Sequence, residues 1–126
     1  MYKALNEQKF DEAAKDVNPN FVEHTPIEGQ AQGIEGVREF FKMFWKAFPD
    51  LKQDILEIIV NEEGTKISAL VKMYGTNKGE FMGMPATGNK IEVLANDIML
   101  LKDGKVTDHW GFMDSETFMK QLTAGK

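Results

Sequence analysis

Asp97 and His109 are the two residues of this sequence whose type and surroundings suit proton transfer. They fall in Ile91 to Asp114, IEVLANDIMLLKDGKVTDHWGFMD, where apolar runs flank Lys102-Asp103-Gly104-Lys105. Side chains alternate between the faces of a strand. One face of the first run therefore carries Ile91, Val93, Ala95, Asp97, Met99 and Leu101, apolar at every position but one. Burial disfavours the charged form of a carboxyl group, and such groups cluster at functional sites. A carboxylate in a dry pocket can abstract a proton next to a carbonyl, given a hydrogen-bond donor for the developing enolate. His109 and His24, the only histidines, are candidate proton shuttles near neutral pH. The competing account is structural. Asp97 would be a buried group satisfied by Asn96, His24 or His109, and each histidine an ordinary core residue.

A metal is not expected. Two histidines with Asp97 or Glu23 could compose a facial triad, but their spacing provides no local chelate. Tyr74 is a further donor candidate, yet it falls on the polar side of its strand, where exposure is expected.

The elements that must hold these groups begin with helices. Residues 2–16 suit one helix or two short ones, and Val17-Asn18-Pro19-Asn20 suits a turn, because the residue before a proline avoids the helical region. Phe21-Val22-Glu23-His24 reads as a short strand. From Gly33 to Phe48, Ile34, Val37, Phe41, Phe44 and Phe48 recur at helical spacing, widened by Phe40 and Trp45. So many rings on one helix imply a broad apolar surface beneath it, most simply a sheet. Strands are expected over Leu51 to Asn61 and Lys66 to Thr76, joined by a turn at Asn61 to Gly64. Asp103-Gly104 predicts a two-residue hairpin. A C-terminal helix over Asp114 to Leu122, capped by Asp114 or Ser115, places Phe118, Met119 and Leu122 on one side. Helices followed by four consecutive antiparallel strands make an α+β domain. A curved sheet over the aromatic helix would enclose a central apolar pocket. The glycine-flanked loop Gly79 to Gly88 would supply its lip through Phe81, Met82, Met84 and Pro85.

A chain of 126 residues suits a single domain spanning 1–126. With 42% hydrophobic and 28% charged residues it has the make-up of a globular protein. No apolar run approaches the length of a membrane helix, and the first ten residues lack the pattern of a signal peptide. The absence of cysteine excludes disulfides and thiolate metal sites and fits a reducing compartment, so a cytoplasmic location is expected. A net charge of -5 without a Lys/Arg block argues against nucleic acid.

Four segments together resemble the SnoaL-like polyketide cyclases, within the nuclear transport factor 2-like superfamily of cone folds. They are Phe21-Val22-Glu23-His24, the helix from Gly36-Val37-Arg38-Glu39-Phe40-Phe41 to Ala47-Phe48-Pro49-Asp50, the loop Gly79 to Gly88, and Asp103-Gly104-Lys105-Val106-Thr107-Asp108-His109-Trp110. The resemblance implies intramolecular aldol ring closure without metal or cofactor, and commonly a dimer through the open sheet face. It also implies an Asp acid/base just after the His-aromatic pair, with a His partner on the preceding strand. Here the first of these positions is Gly111 and the second is Asp97.

The resulting expectation is a cofactor-independent enzyme performing cyclisation, isomerisation or a related lyase reaction on a small apolar carbonyl compound. Asp97, His109 and His24 would be its catalytic residues. Phe21, Phe48, Phe81, Met82, Met84, Met99, Trp110, Gly111 and Met113 would line the substrate site. The alternatives are a non-catalytic module binding a small apolar ligand, with Gly111 marking lost catalysis, and a dimeric scaffold.

Overall fold

Asp103 and Gly104 both adopt positive φ, +53° and +78°, the conformation of a type I′ hairpin turn, in the computed structural model of the chain, which describes residues 1–125. The turn joins β4 (Lys90–Lys102) to β5 (Lys105–Met113). β2 (Lys52–Val60) and β3 (Lys66–Thr76) form the preceding antiparallel pair. α1 (Tyr2–Asn6) and α2 (Phe10–Ala14) open the chain, followed by β1 (Val17–Glu23) and α3 (Gly33–Ala47), and α4 (Ser115–Thr123) closes it.

The five strands make one curved sheet in the order β1-β5-β4-β3-β2. β1 differs from expectation. It starts at Val17 rather than Phe21, and it runs parallel to β5. Pro19 had suggested a turn, but β1 is an edge strand, where a missing backbone donor does no harm. The pairing is irregular between Val17 and Val22, which accommodates the ring.

Register lines up the inward-facing residues in rows across the sheet. Ile58, Ala69, Asp97 and Gly111 stand opposite one another in succession. The next row is Val60, Ile67, Met99, His109 and Glu23.

α3 lies over the inner face and buries Phe44 and Ala47. Phe44, Phe48, Leu51, Met73, Phe81, Ile91, Val93, Phe118 and Leu122 form the main core. Truncating a ring such as Phe48, which is wholly buried, to alanine would cost about 3–5 kcal/mol. A second cluster of Phe21, Met99 and Val106 takes in Tyr2, Val37 and Ile67. In α4, Phe118 and Leu122 are buried while Met119 is 40% exposed, so only two of the three expected residues reach the core.

The loop after β3 is pinned by buried Asn77, whose amide donates to Gly79 O and whose carbonyl accepts from Thr87 N. Gly79 passes so close to the end of α3 that a Cβ there would lie 2.3 Å from Lys46 O. No helix among the described residues is long and apolar enough to cross a membrane.

Candidate active site

Three strands and the first helix bring four side chains into one line. The parallel register sets Glu23 beside His109, and the antiparallel register sets Asp97 opposite Gly111, two residues further along β5. His109 Nδ1 lies 2.6 Å from Glu23 Oε1, and its Nε2 lies 2.8 Å from Asp97 Oδ1. The Tyr2 hydroxyl donates to Asp97 Oδ2 at 2.5 Å. The result is a continuous line, Glu23–His109–Asp97–Tyr2, across the inner face of the sheet.

Each end of the line is held. Gln32, just before α3, accepts from Glu23 N at 3.1 Å and donates to Glu23 O at 2.9 Å. That amide replaces the neighbour the edge strand lacks. Thr25 donates through its backbone N and hydroxyl to Glu23 Oε2, and its hydroxyl oxygen accepts from Gly111 N at 2.8 Å.

Ionised carboxylates accept hydrogen bonds and cannot donate them. An imidazole clasped by one at each nitrogen must therefore donate from both, which is the protonated form. The energetics agree. Burial alone would pull the His109 pKa down, but the hydrogen bonds and charges of Asp97 and Glu23 outweigh it and raise the value to about 9. Burial, then the charge and hydrogen bond of Asp97, push the Tyr2 hydroxyl well above its ordinary value, so it stays neutral.

Of the partners expected for Asp97, His109 is the one that binds it. Asp97 does share its face with Val93 and Met99, but its side chain keeps 20% of its surface and binds two polar partners.

Gly111 has a definite role in this geometry. A Cβ at that position would lie 2.8 Å from His109 Cε1, 3.3 Å from His109 Nε2 and 3.4 Å from Asp97 Oδ1. The absence of a side chain is what lets the imidazole reach across to β4.

Of the other candidates, Phe21 and Met99 pack together beside this line, Met99 directly opposite His109. His24 is elsewhere. Its Nε2 pairs with Asp108 Oδ2 at 2.7 Å, its ring stacks on Trp110 at 4.1 Å, and that hydrogen bond, with another from Thr107, holds Asp108 below the usual carboxylate range. Trp110 stands opposite Ile98 on the outer face, away from Asp97. Phe48 and Phe81 are core residues packed with Phe44 and Phe118, both meeting the Phe118 ring at steep angles, and Met84 and Met113 pack against them. Met82 is 57% exposed at the tip of a tight turn, and lines an open groove of about 390 Å³ with Met43 and Lys46. A second groove of about 510 Å³ lies between α2 and α3. Neither groove includes Asp97, so the expected lip of Phe81, Met82, Met84 and Pro85 does not frame it. Tyr74 donates to Asp54 at 3.3 Å, away from the site.

Two members of the line were not foreseen in these roles. Glu23 had a signal, since Phe21 and Glu23 share a face and precede a sequence able to pair with β5. Tyr2 had none, because the placement of a one-turn helix is decided by tertiary packing.

The description "SnoaL-like polyketide cyclase" belongs to a family model that matches residues 1–122. The aklanonic acid methyl ester cyclase of Streptomyces peucetius is 29% identical over 127 residues, covering 97% of this chain and 85% of its own. The nogalonic acid methyl ester cyclase of Streptomyces nogalater is 26% identical, covering 97% and 91%. Among solved structures, TsrD from Streptomyces laurentii superposes with a TM-score of 0.86 at 28% identity, over 98% of this chain and 89% of that one.

Proposed function

We propose, from the premise that this chain belongs to the SnoaL-like polyketide cyclase family, that it closes a ring in a small apolar carbonyl compound with Asp97 as acid/base and without a cofactor. The curated relatives are cyclases, which supports a cyclase-type enzyme. The observation that carries the choice of Asp97 is its contact with His109, whose pKa is raised to about 9, directly across the ladder from Gly111.

The steps balance. Asp97 takes a proton from a carbon next to a carbonyl, and the C–H electron pair passes into an enolate. The enolate carbon attacks a second carbonyl carbon of the same molecule, forming the ring C–C bond. The new alkoxide takes the proton back from Asp97. His109, anchored by Glu23, keeps its charge throughout and orients the carboxyl group. Its nitrogens both carry protons, so they have no lone pair for a metal. Phe21 and Met99 would form the apolar surroundings of the substrate.

The test uses the methyl esters of aklanonic and nogalonic acids with wild type and Asp97→Asn, product being followed by chromatography. Turnover that vanishes in the variant, with the thermal melt preserved, supports the reading. Full turnover in Asp97→Asn removes Asp97 as the base.

The outer sheet face supports a homodimer. Ile59, Leu94, Ile98 and Phe112 are 71%, 49%, 37% and 59% exposed there, and exposed apolar surface gathered on one sheet face marks an association surface.

A further inference from the structure

We infer that Tyr2 is a catalytic residue of this site: its hydroxyl passes from Asp97 to the substrate's carbonyl oxygen as that oxygen gains charge. The inference rests on the reading of Asp97 as the base.

The geometry of Asp97 leads to it. One carboxylate oxygen, Oδ1, is held by His109, and the other, Oδ2, is held by Tyr2. Because the imidazolium is anchored at both nitrogens, Oδ2 is the oxygen that can receive a proton. Its second lone pair can take the proton beside the Tyr2 hydrogen bond, which protonation then weakens. Once Asp97 is protonated it no longer attracts the phenol strongly, whereas an enolate oxygen two bonds from the reacting carbon does. Proton abstraction and donor transfer are therefore coupled. The C–H proton goes to Oδ2, its electron pair goes to the enolate, and the Tyr2 hydrogen bond follows the negative charge. A preorganised donor aimed at developing charge is a strong form of catalytic stabilisation.

The alternatives are occupied. Both N–H groups of His109 face carboxylates, the Thr25 hydroxyl lies between Glu23 and Gly111, and Tyr74 bonds Asp54. Tyr2 is the hydroxyl that touches Asp97, and burial beside that carboxylate raises its pKa and keeps it a neutral donor. Its ring packs on the Phe21–Met99–Val106 cluster, which holds the hydroxyl beside Asp97.

4-Nitrophenolate, a planar oxyanion with a visible absorbance, is the probe. Asp97→Asn imitates the protonated base and should bind it at least tenfold more tightly than wild type. Adding Tyr2→Phe to Asp97→Asn should abolish that gain. Equal binding by the single and double variants overturns the assignment, as does an Asp97→Asn variant no tighter than wild type. Deuterium incorporation from solvent into methyl acetoacetate reads the base separately. Wild-type exchange should vanish in Asp97→Asn, and fall at least tenfold in kcat with little change in KM in Tyr2→Phe. No wild-type exchange, or exchange surviving in Asp97→Asn, sinks the base reading. Exchange that needs Asp97 but is unaffected by Tyr2→Phe sinks the Tyr2 assignment alone.

Discussion

Gly111 stands directly opposite Asp97 across the β4–β5 ladder, and its missing side chain is the space through which His109 reaches that carboxylate. In the pattern implied by the family resemblance, an Asp at this position of the last strand would face a His on the preceding one. Here the acid stands on the preceding strand, and the histidine comes from two residues before the glycine. We propose that the two departures are one rearrangement.

Gly111→Ala should therefore do damage out of proportion to one methyl group. The ring is locked by hydrogen bonds at both nitrogens and cannot step aside without breaking one. The His109 pKa, followed by NMR, should drop toward 6.5, and turnover should fall at least tenfold. Gly111→Asp should be equally inactive. A gain of activity in Gly111→Asp would show that the rearrangement is not functional.

The raised pKa of His109 links stability to pH. The folded value of about 9 exceeds the ordinary 6.5, so the folded state binds the proton more tightly than the unfolded one. The stabilisation is complete below pH 6.5 and is lost as pH rises through 9. A shift of this size corresponds to roughly 3 kcal/mol. Melts of wild type should weaken between pH 6.5 and 10, and those of His109→Gln should show much less dependence over that window. Catalysis should decline over the same alkaline range, as Asp97 loses its charged partner.

Glu23→Gln keeps the shape of the anchor and removes its charge. The His109 pKa should fall by more than one unit, with a smaller loss of turnover than Asp97→Asn causes. An unchanged histidine titration, measured by NMR, would mean that Glu23 contributes no electrostatics to the line.

Asp114 caps α4. Its Oδ1 accepts from Thr117 N at 3.2 Å and its Oδ2 from the Thr117 hydroxyl at 2.7 Å, which together hold it below the usual carboxylate range. Asp114→Ala should lower the midpoint of denaturant melts by removing the cap, with turnover unchanged.

Phe112→Glu and Ile98→Lys place charge in the middle of the exposed outer face. If that face joins two copies, light scattering should report a monomer for the pair of substitutions and a dimer for wild type, with the melt of each subunit little altered.

Much of this architecture was legible because periodicity reports which face is buried. The Asp-Gly turn, the alternation along β4 and the aromatic stripe of α3 each state a local rule that packing obeys. β1 was not legible. Pro19 carries a turn signal, and only the sheet order, which puts this strand at an edge, makes the proline harmless. His24 and His109 looked alike as residues, but strand parity separates them. His109 turns inward with Gly111, while His24 meets Asp108 and Trp110 outside. The substrate-lining set was the least legible, because Phe48, Phe81 and Met113 serve the core with the same chemistry that would serve a ligand.

Glu23 meets His109 across 86 positions of chain and Tyr2 meets Asp97 across 95, so the two ends of the polypeptide must find each other before either bond exists. Pairings this distant in sequence form slowly. Catalytic competence should accordingly lag behind the bulk of refolding, and a newly refolded sample should regain its circular dichroism before its turnover.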